Sequence, residues 1–194
     1  MGLFKKPIIT SLIIGACLLF GFQSHALMLD SNLFYISDSL DVTDQSFSRH
    51  GFDLSLAMGL DQDSMLNLGV NVSSMGTMDS TGATEVTWST LDYGVKFIAF
   101  LDRVKTWGLG LAYNLKAQGK YESGGSELDW RGSSLKFDIG YNPLVFNGFY
   151  FGVRLSYYMA MYNEESTDGG SSYTSKDVKR SFIYPSIYLS YRLK

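Results

Sequence analysis

From Phe52 onward the chain alternates between apolar and small or polar residues: Phe52, Leu54, Leu56, Met58 and Leu60 are separated by Asp53, Ser55, Ala57 and Gly59. Leu66, Leu68, Val70 and Val72 repeat the pattern against Asn67, Gly69, Asn71 and Ser73. Trp107, Leu109, Leu111, Tyr113 and Leu115 do so against Gly108, Gly110, Ala112 and Asn114, and Phe149, Phe151, Val153, Leu155, Tyr157 and Met159 form a fourth run. Successive side chains of a strand point to opposite faces, so each run predicts a strand with one greasy, aromatic face and one small, polar face. A soluble sandwich also alternates, but its apolar face meets a second sheet. Segments of about ten residues with this polarity, separated by turn signals, are what a β-barrel in a lipid bilayer requires.

Extended along the chain, the pattern predicts eight strands, at 29–38, 50–60, 65–74, 86–100, 105–118, 130–141, 149–162 and 180–193. Downstream of the amino-terminal apolar run no apolar stretch reaches ~18 residues, so no transmembrane helix is predicted. Strands in hydrocarbon must close into a ring, because an open edge leaves backbone groups unsatisfied. The expected fold class is therefore all-β: an eight-stranded antiparallel up-and-down transmembrane barrel. Connections 61–64, 101–104 and 142–148 read as short periplasmic turns, and 39–49, 75–85, 119–129 and 163–179 as long outer loops, the last rich in Gly and Ser. Pro185 removes a ladder donor inside the last strand, which predicts a bulge or a strand end. Trp107, Tyr141, Phe149 and Tyr191 at one end, and Trp88, Tyr113 and Tyr157 at the other, are expected to form aromatic girdles. In the first strand the favoured register turns Leu33 and Tyr35 toward lipid, because the opposite one exposes Asp30 and Asn32.

The amino terminus indicates how such a chain reaches its membrane. Lys5 and Lys6 precede an apolar run from Ile8 to Phe22, and Ser24-His25-Ala26 supplies small residues where a signal peptidase reads them. The expected division is a signal peptide over 1–26 and a barrel over 27–194, exported through the periplasm to a bacterial outer membrane. Ile14-Gly15-Ala16-Cys17 has the form of a lipobox, but the apolar run continues through Cys17 instead of ending there. Cleavage after Ala26 removes the single cysteine, so no disulfide is expected, and shifts the formal charge from −3 to −5. That mild acidity argues against a nucleic-acid partner.

On this layout the chain resembles the small eight-stranded outer-membrane barrels typified by the OmpA transmembrane domain and OmpX, over essentially all of 27–194. It departs from them at the end. Many such barrels finish on an aromatic residue that the assembly machinery reads, whereas this sequence finishes Tyr191-Arg192-Leu193-Lys194, and no peptidoglycan-binding domain is expected after the last strand. In size and plan it also resembles the PopA-type small barrels of predatory bacteria, which implies a homo-oligomer that encloses membrane lipid.

The same alternation aims Asp53, Asp92, Lys96, Lys116, Lys136, Asp138, Arg154 and Arg192 into the barrel, with Tyr150, Tyr158, Tyr184 and Tyr188. Eight strands enclose a lumen just wide enough for side chains to fill, and buried charges there must be paired. A salt-bridged plug is expected; a narrow ion path lined by charge is the alternative. His50 and Asp79-Ser80 suggest a catalytic group on the outer rim, weakly resembling the outer-membrane palmitoyltransferase. That chemistry needs an apolar slot for an acyl chain, which the inward charges oppose. No catalytic residue, metal or cofactor is therefore expected. Asp38, Asp41 and Asp44 lack the Gly and terminal Glu of an EF-hand loop and read as a solvated loop. Asn71-Val72-Ser73 has the form of a glycosylation sequon but falls within a membrane strand. The expected role is structural or interactive, through the outer loops or through the lipid-facing wall, where Arg131 and Ser133 are polar. Membrane lipid and a second copy are the expected partners; a small porin-like channel and a lipid acyltransferase are the alternatives.

Overall fold

The computed structural model describes residues 26–40, 44–167 and 169–193. The segment expected to be a signal peptide, with Cys17, lies outside them, as do Asp41, Asp168 and Lys194. Among the described residues the strands are β1 (Leu27–Leu40), β2 (Gln45–Gly59), β3 (Leu66–Thr81), β4 (Thr84–Phe100), β5 (Trp107–Ser123), β6 (Ser126–Tyr141), β7 (Leu144–Phe146), β8 (Phe149–Ser166) and β9 (Thr174–Leu193). β7 is a short flap folded back on the start of β8. The eight long strands pair antiparallel in chain order, and the pairings β6 with β8 and β1 with β9 close the ring.

The polarity is inside out. On β2, Phe52, Leu54, Leu56 and Met58 are exposed while Asp53, Ser55 and Ala57 are buried. On β1, Leu33 and Tyr35 face out, and Asp30 and Asn32 face in. A greasy wall around a polar interior is stable only when hydrocarbon surrounds it. Trp107 and Tyr141, with ring centroids 5.0 Å apart, and Tyr191 mark one rim of the wall. Tyr113 and Tyr157 mark the other.

The strands outrun the predicted ones at the outer end. The outer connections shrink to 41–44, 82–83, 124–125 and 167–173, so the long loops expected at 75–85 and 119–129 are tight hairpins. Gly82 (φ 57°) begins one, and Gly124 and Gly125 (φ 56° and 81°) form the other, supplying the positive φ that two-residue hairpins demand. Toward the outer end the outward positions turn polar, as at Lys120, Glu122 and Glu127, while aromatic residues such as Tyr121 and Trp130 face inward. The apolar-outward alternation therefore stops while the ladder continues, and periodicity loses sight of it.

Two further expectations are corrected. Lys116 is exposed rather than inward, because β5 carries a bulge between the Asn114–Ser134 and Ala117–Gly132 pairs that turns Leu115 and Lys116 to the same outer face. Close backbone approach beside these irregular ladders needs glycine: a Cβ on Gly94 would sit 2.1 Å from the Tyr113 carbonyl oxygen, and one on Gly132 2.0 Å from that of Met161. Trp88 is not in the outer girdle. It shares the inward face of β4 with Thr90 and Asp92 and is buried against Met75, Trp130, Tyr158, Tyr162 and Tyr184. Pro185 makes neither a bulge nor a strand end. β9 passes it in register with Leu155 of β8, while the ladder to β1 ends at Leu33–Ile187.

Candidate functional site

The lumen is built in three layers. At the end that carries the short β2–β3 and β4–β5 turns, Met28, Ala57, Ile98 and Phe100 form an apolar cap. The middle layer is ionic and holds three carboxylates and three cations, all almost fully buried. Lys96 Nζ lies 2.7 Å from Asp30 Oδ1, 3.4 Å from Asp53 Oδ1 and 3.7 Å from Asp138 Oδ2. Lys136 pairs with Asp53 and stands 3.4 Å from Asp138 Oδ1. Arg154 donates to Asp30 Oδ2 at 2.9 Å, reaches Asp138 at 3.8 Å and stacks 3.5 Å over the Tyr188 ring. Neutral donors serve further acceptor sites, Asn32 Nδ2 to Asp53 at 2.9 Å and Ser156 Oγ to Asp138 Oδ1 at 2.7 Å, while Asp138 Oδ2 has only the longer approaches of Lys96 and Arg154. The charges cancel, and every member of the layer is an inward position of a long strand: Asp30 of β1, Asp53 of β2, Lys96 of β4, Lys136 and Asp138 of β6, and Arg154 of β8. This is the condition under which buried ions can be tolerated.

Asp92 stands apart from this layer. It accepts from the hydroxyls of Thr90 (2.5 Å), Ser134 (2.5 Å) and Tyr158 (2.6 Å), with Asn114 and Asn71 extending the chain of hydrogen bonds. Tyr158 joins it to the third layer, the aromatic cluster of Trp88, Trp130, Tyr162 and Tyr184. Arg192 is also inward but does not reach the ionic layer: its guanidinium lies between the rings of Tyr150 (3.7 Å) and Phe100 (4.1 Å).

Of the residues singled out from sequence, the fold thus joins Asp53, Lys96, Lys136, Asp138 and Arg154, sets Asp92 and Arg192 beside them, and leaves Lys116 outside. Asp30 joins them although it is not among the eight charges expected inside. It contacts two of the three cations, and the signal was the preferred register of the first strand, which already turned it inward. His50 and Ser80 do not meet. His50 faces outward opposite Gly76, whereas Ser80 lies opposite Ser46 and shares a 2.7 Å hydroxyl contact with it. Four residues of strand, about 13 Å, separate the two levels. Asp38 accepts from the Ser39 backbone N–H (2.9 Å), and no group of metal-ligating side chains occurs among the described residues. Asn71 is buried in the lumen.

A closed eight-stranded antiparallel barrel with an apolar wall and a filled, polar lumen is the fold of the small outer-membrane β-barrel proteins. No protein-family model matches the sequence, and no curated protein is detectably similar to it. Among solved structures the chain is similar to Neisserial surface protein A, with 14% identity, 89% of this chain and 97% of that one covered and a TM-score of 0.48. It is also similar to Ail, the attachment invasion locus protein of Yersinia pestis, with 15% identity, 87% and 97% covered and a TM-score of 0.40. The translocator domain of the autotransporter NalP from Neisseria meningitidis is matched at 9% identity over 92% of this chain and 66% of that one, with a TM-score of 0.44.

Proposed function

We propose that this chain is a bacterial outer-membrane barrel without an open pore and without catalytic activity, a structural or interaction protein that acts through its outer end and lipid-facing wall. The observation that carries the reading is the charge-balanced layer of Asp30, Asp53, Lys96, Lys136, Asp138 and Arg154 between two apolar layers. An ion entering from either side meets an aromatic or aliphatic layer, the latter with the Arg192 guanidinium against Phe100, and then a set of charges paired with one another. With the lumen occupied, the wall is the largest surface left. Self-association into a homo-oligomer that organises lipid is the finer part of this reading, since polar or small residues at lipid depth let walls approach one another. Arg131 argues for a different use of its own position: it lies 3.7 Å over the Tyr173 ring of the outer loop, above the hydrocarbon.

Planar-bilayer recording tests the first part. The purified chain should add no stable unitary conductance, and ion-selective channel events would replace this reading with a small pore. Particle mass in nanodiscs of several compositions, combined with lipid analysis, tests the second. A strictly monomeric particle in all of them removes the oligomer.

A further inference from the structure

The barrel is not sealed over its whole height. β1 and β9 pair only from Leu27–Leu193 to Leu33–Ile187, although β1 runs on to Leu40 and β9 begins at Thr174. Pro185, which would face Tyr35 in a continued register, has no N–H to give the ladder. Of the large apolar residues along each edge strand the most exposed lie here, Tyr35 at 71% on β1 and Ile183 at 65% on β9. The split starts at lipid depth, because the β8 partners of Pro185 and Ile183 are Leu155 and Tyr157, and Tyr157 belongs to the outer tyrosine rim.

Behind the split lies an aromatic floor. Phe34 of β1 stacks on Tyr184 of β9 with centroids 4.0 Å apart. Phe182 continues the floor, 5.4 Å from Tyr184, 5.5 Å from Tyr158 and 6.2 Å from Trp88. Phe34 and Phe182 are only half-buried. Just above them the inner face of the barrel carries two arginines that act on one another through space. Arg180 of β9 donates to Thr77 Oγ1 at 2.7 Å and lies 4.6 Å over the Trp88 ring, and Arg49 of β2 is level with Ile36 of β1. The buried Nε of Arg49 has no hydrogen-bond partner. Asp79 acts on Arg180 through space, and Asp38 is exposed and engaged with its own loop.

We propose that the split and the mouth above it bind one anionic phospholipid of the surrounding leaflet. Its acyl chain enters sideways between β1 and β9 and lies on Phe34, Phe182 and Tyr184, while its phosphate takes Arg49 and Arg180. The occupant follows from position. At hydrocarbon depth acyl chains are what surrounds the split, and a phosphate ester carries its charge directly above its chains, at the level of the arginines. Guanidinium groups recognise phosphate oxygens in a fixed fork geometry. Lateral access also leaves the ionic layer undisturbed below. The proposal rests on the membrane-barrel reading above.

The test uses nanodiscs that contain phosphatidylglycerol with a diazirine on its acyl chain, irradiated and mapped by mass spectrometry. Label should concentrate on the inward Phe34 and Phe182 and fall about tenfold in Arg49→Gln, the scale of one hydrogen bond to a charged group, and further in Arg49→Gln/Arg180→Gln. Excess inorganic phosphate should leave it in place, because a free ion lacks the chain that holds the lipid. Label spread evenly over the outward wall, label indifferent to both arginines, or label displaced by inorganic phosphate would each overturn the proposal. Arg180 supports Trp88 and Thr77, so if the double variant fails to fold, Arg49→Gln alone decides. A preparation without heat-dependent migration in SDS fails the barrel reading; a folded barrel with even labelling fails only the lipid site.

Discussion

At the residue scale, Asp30 is the side chain on which the ionic layer most depends, because Lys96 and Arg154 both approach it within 3 Å. Asp30→Asn removes a charge that two cations use and leaves the layer with an excess positive charge. We expect a loss of roughly 3–5 kcal/mol in urea unfolding from detergent or lipid, the range for an uncompensated buried ion. Lys116 gives the opposite result. It lies on the outer face of a bulge, so Lys116→Leu should leave stability unchanged or raise it by up to ~1 kcal/mol, whereas an inward lysine would have behaved like Asp30. His50→Ala and Ser80→Ala should leave cellular lipid acylation unchanged by mass spectrometry, because the two side chains belong to different levels of the β2–β3 ladder.

At the scale of elements, the turns carry the specific chemistry. Asp102 closes the β4–β5 turn by accepting from the backbone N–H groups of Trp107 at 2.7 Å and Thr106 at 3.0 Å, and the Trp107 bond above all holds its carboxyl below the usual carboxylate range. A depressed folded value means that its stabilisation is complete above the unfolded value of about 3.9 and is lost as pH falls through the folded one. Asp102→Asn should therefore lower stability at neutral pH and show a shallower decline on acidification than the wild type, read from urea midpoints across that range. At the other end of the barrel, Gly125→Val places a β-branched residue at φ 81°. The cost is of order 1–3 kcal/mol, and it should appear as faster hydrogen exchange in the outer rungs of the β5–β6 hairpin while the membrane rungs stay protected.

At the scale of the whole molecule, closure joins all these ladders into one cooperative unit, since β1 and β9 are neighbours in space but lie at opposite ends of the described chain. The purified chain should be rich in sheet by circular dichroism and should migrate differently in SDS with and without boiling. A helical spectrum, or a product soluble without detergent, would contradict the fold.

The sequence by itself determined the eight crossings, their inside-out polarity and most of the charges of the lumen. Side chains alternate with a period of two, and a bilayer punishes an error in that alternation at every outward position. It did not determine where the alternation slips or stops. The bulge that turns Lys116 outward depends on how β5 meets β6 across Gly132. The outer hairpins escaped the apolar-outward template because their outward positions are polar and their apolar residues, Tyr121, Leu128 and Trp130, face inward. Trp88 was legible in principle, two residues from the inward Thr90, but a tryptophan near a membrane boundary has two plausible settings, and packing against Tyr158 and Tyr162 selects one. The sharing of Asp30 by Lys96 and Arg154, and the split beyond Leu33 and Ile187, depend on residues far apart in sequence. Only the curvature of the closed barrel brings those partners within reach or holds them apart.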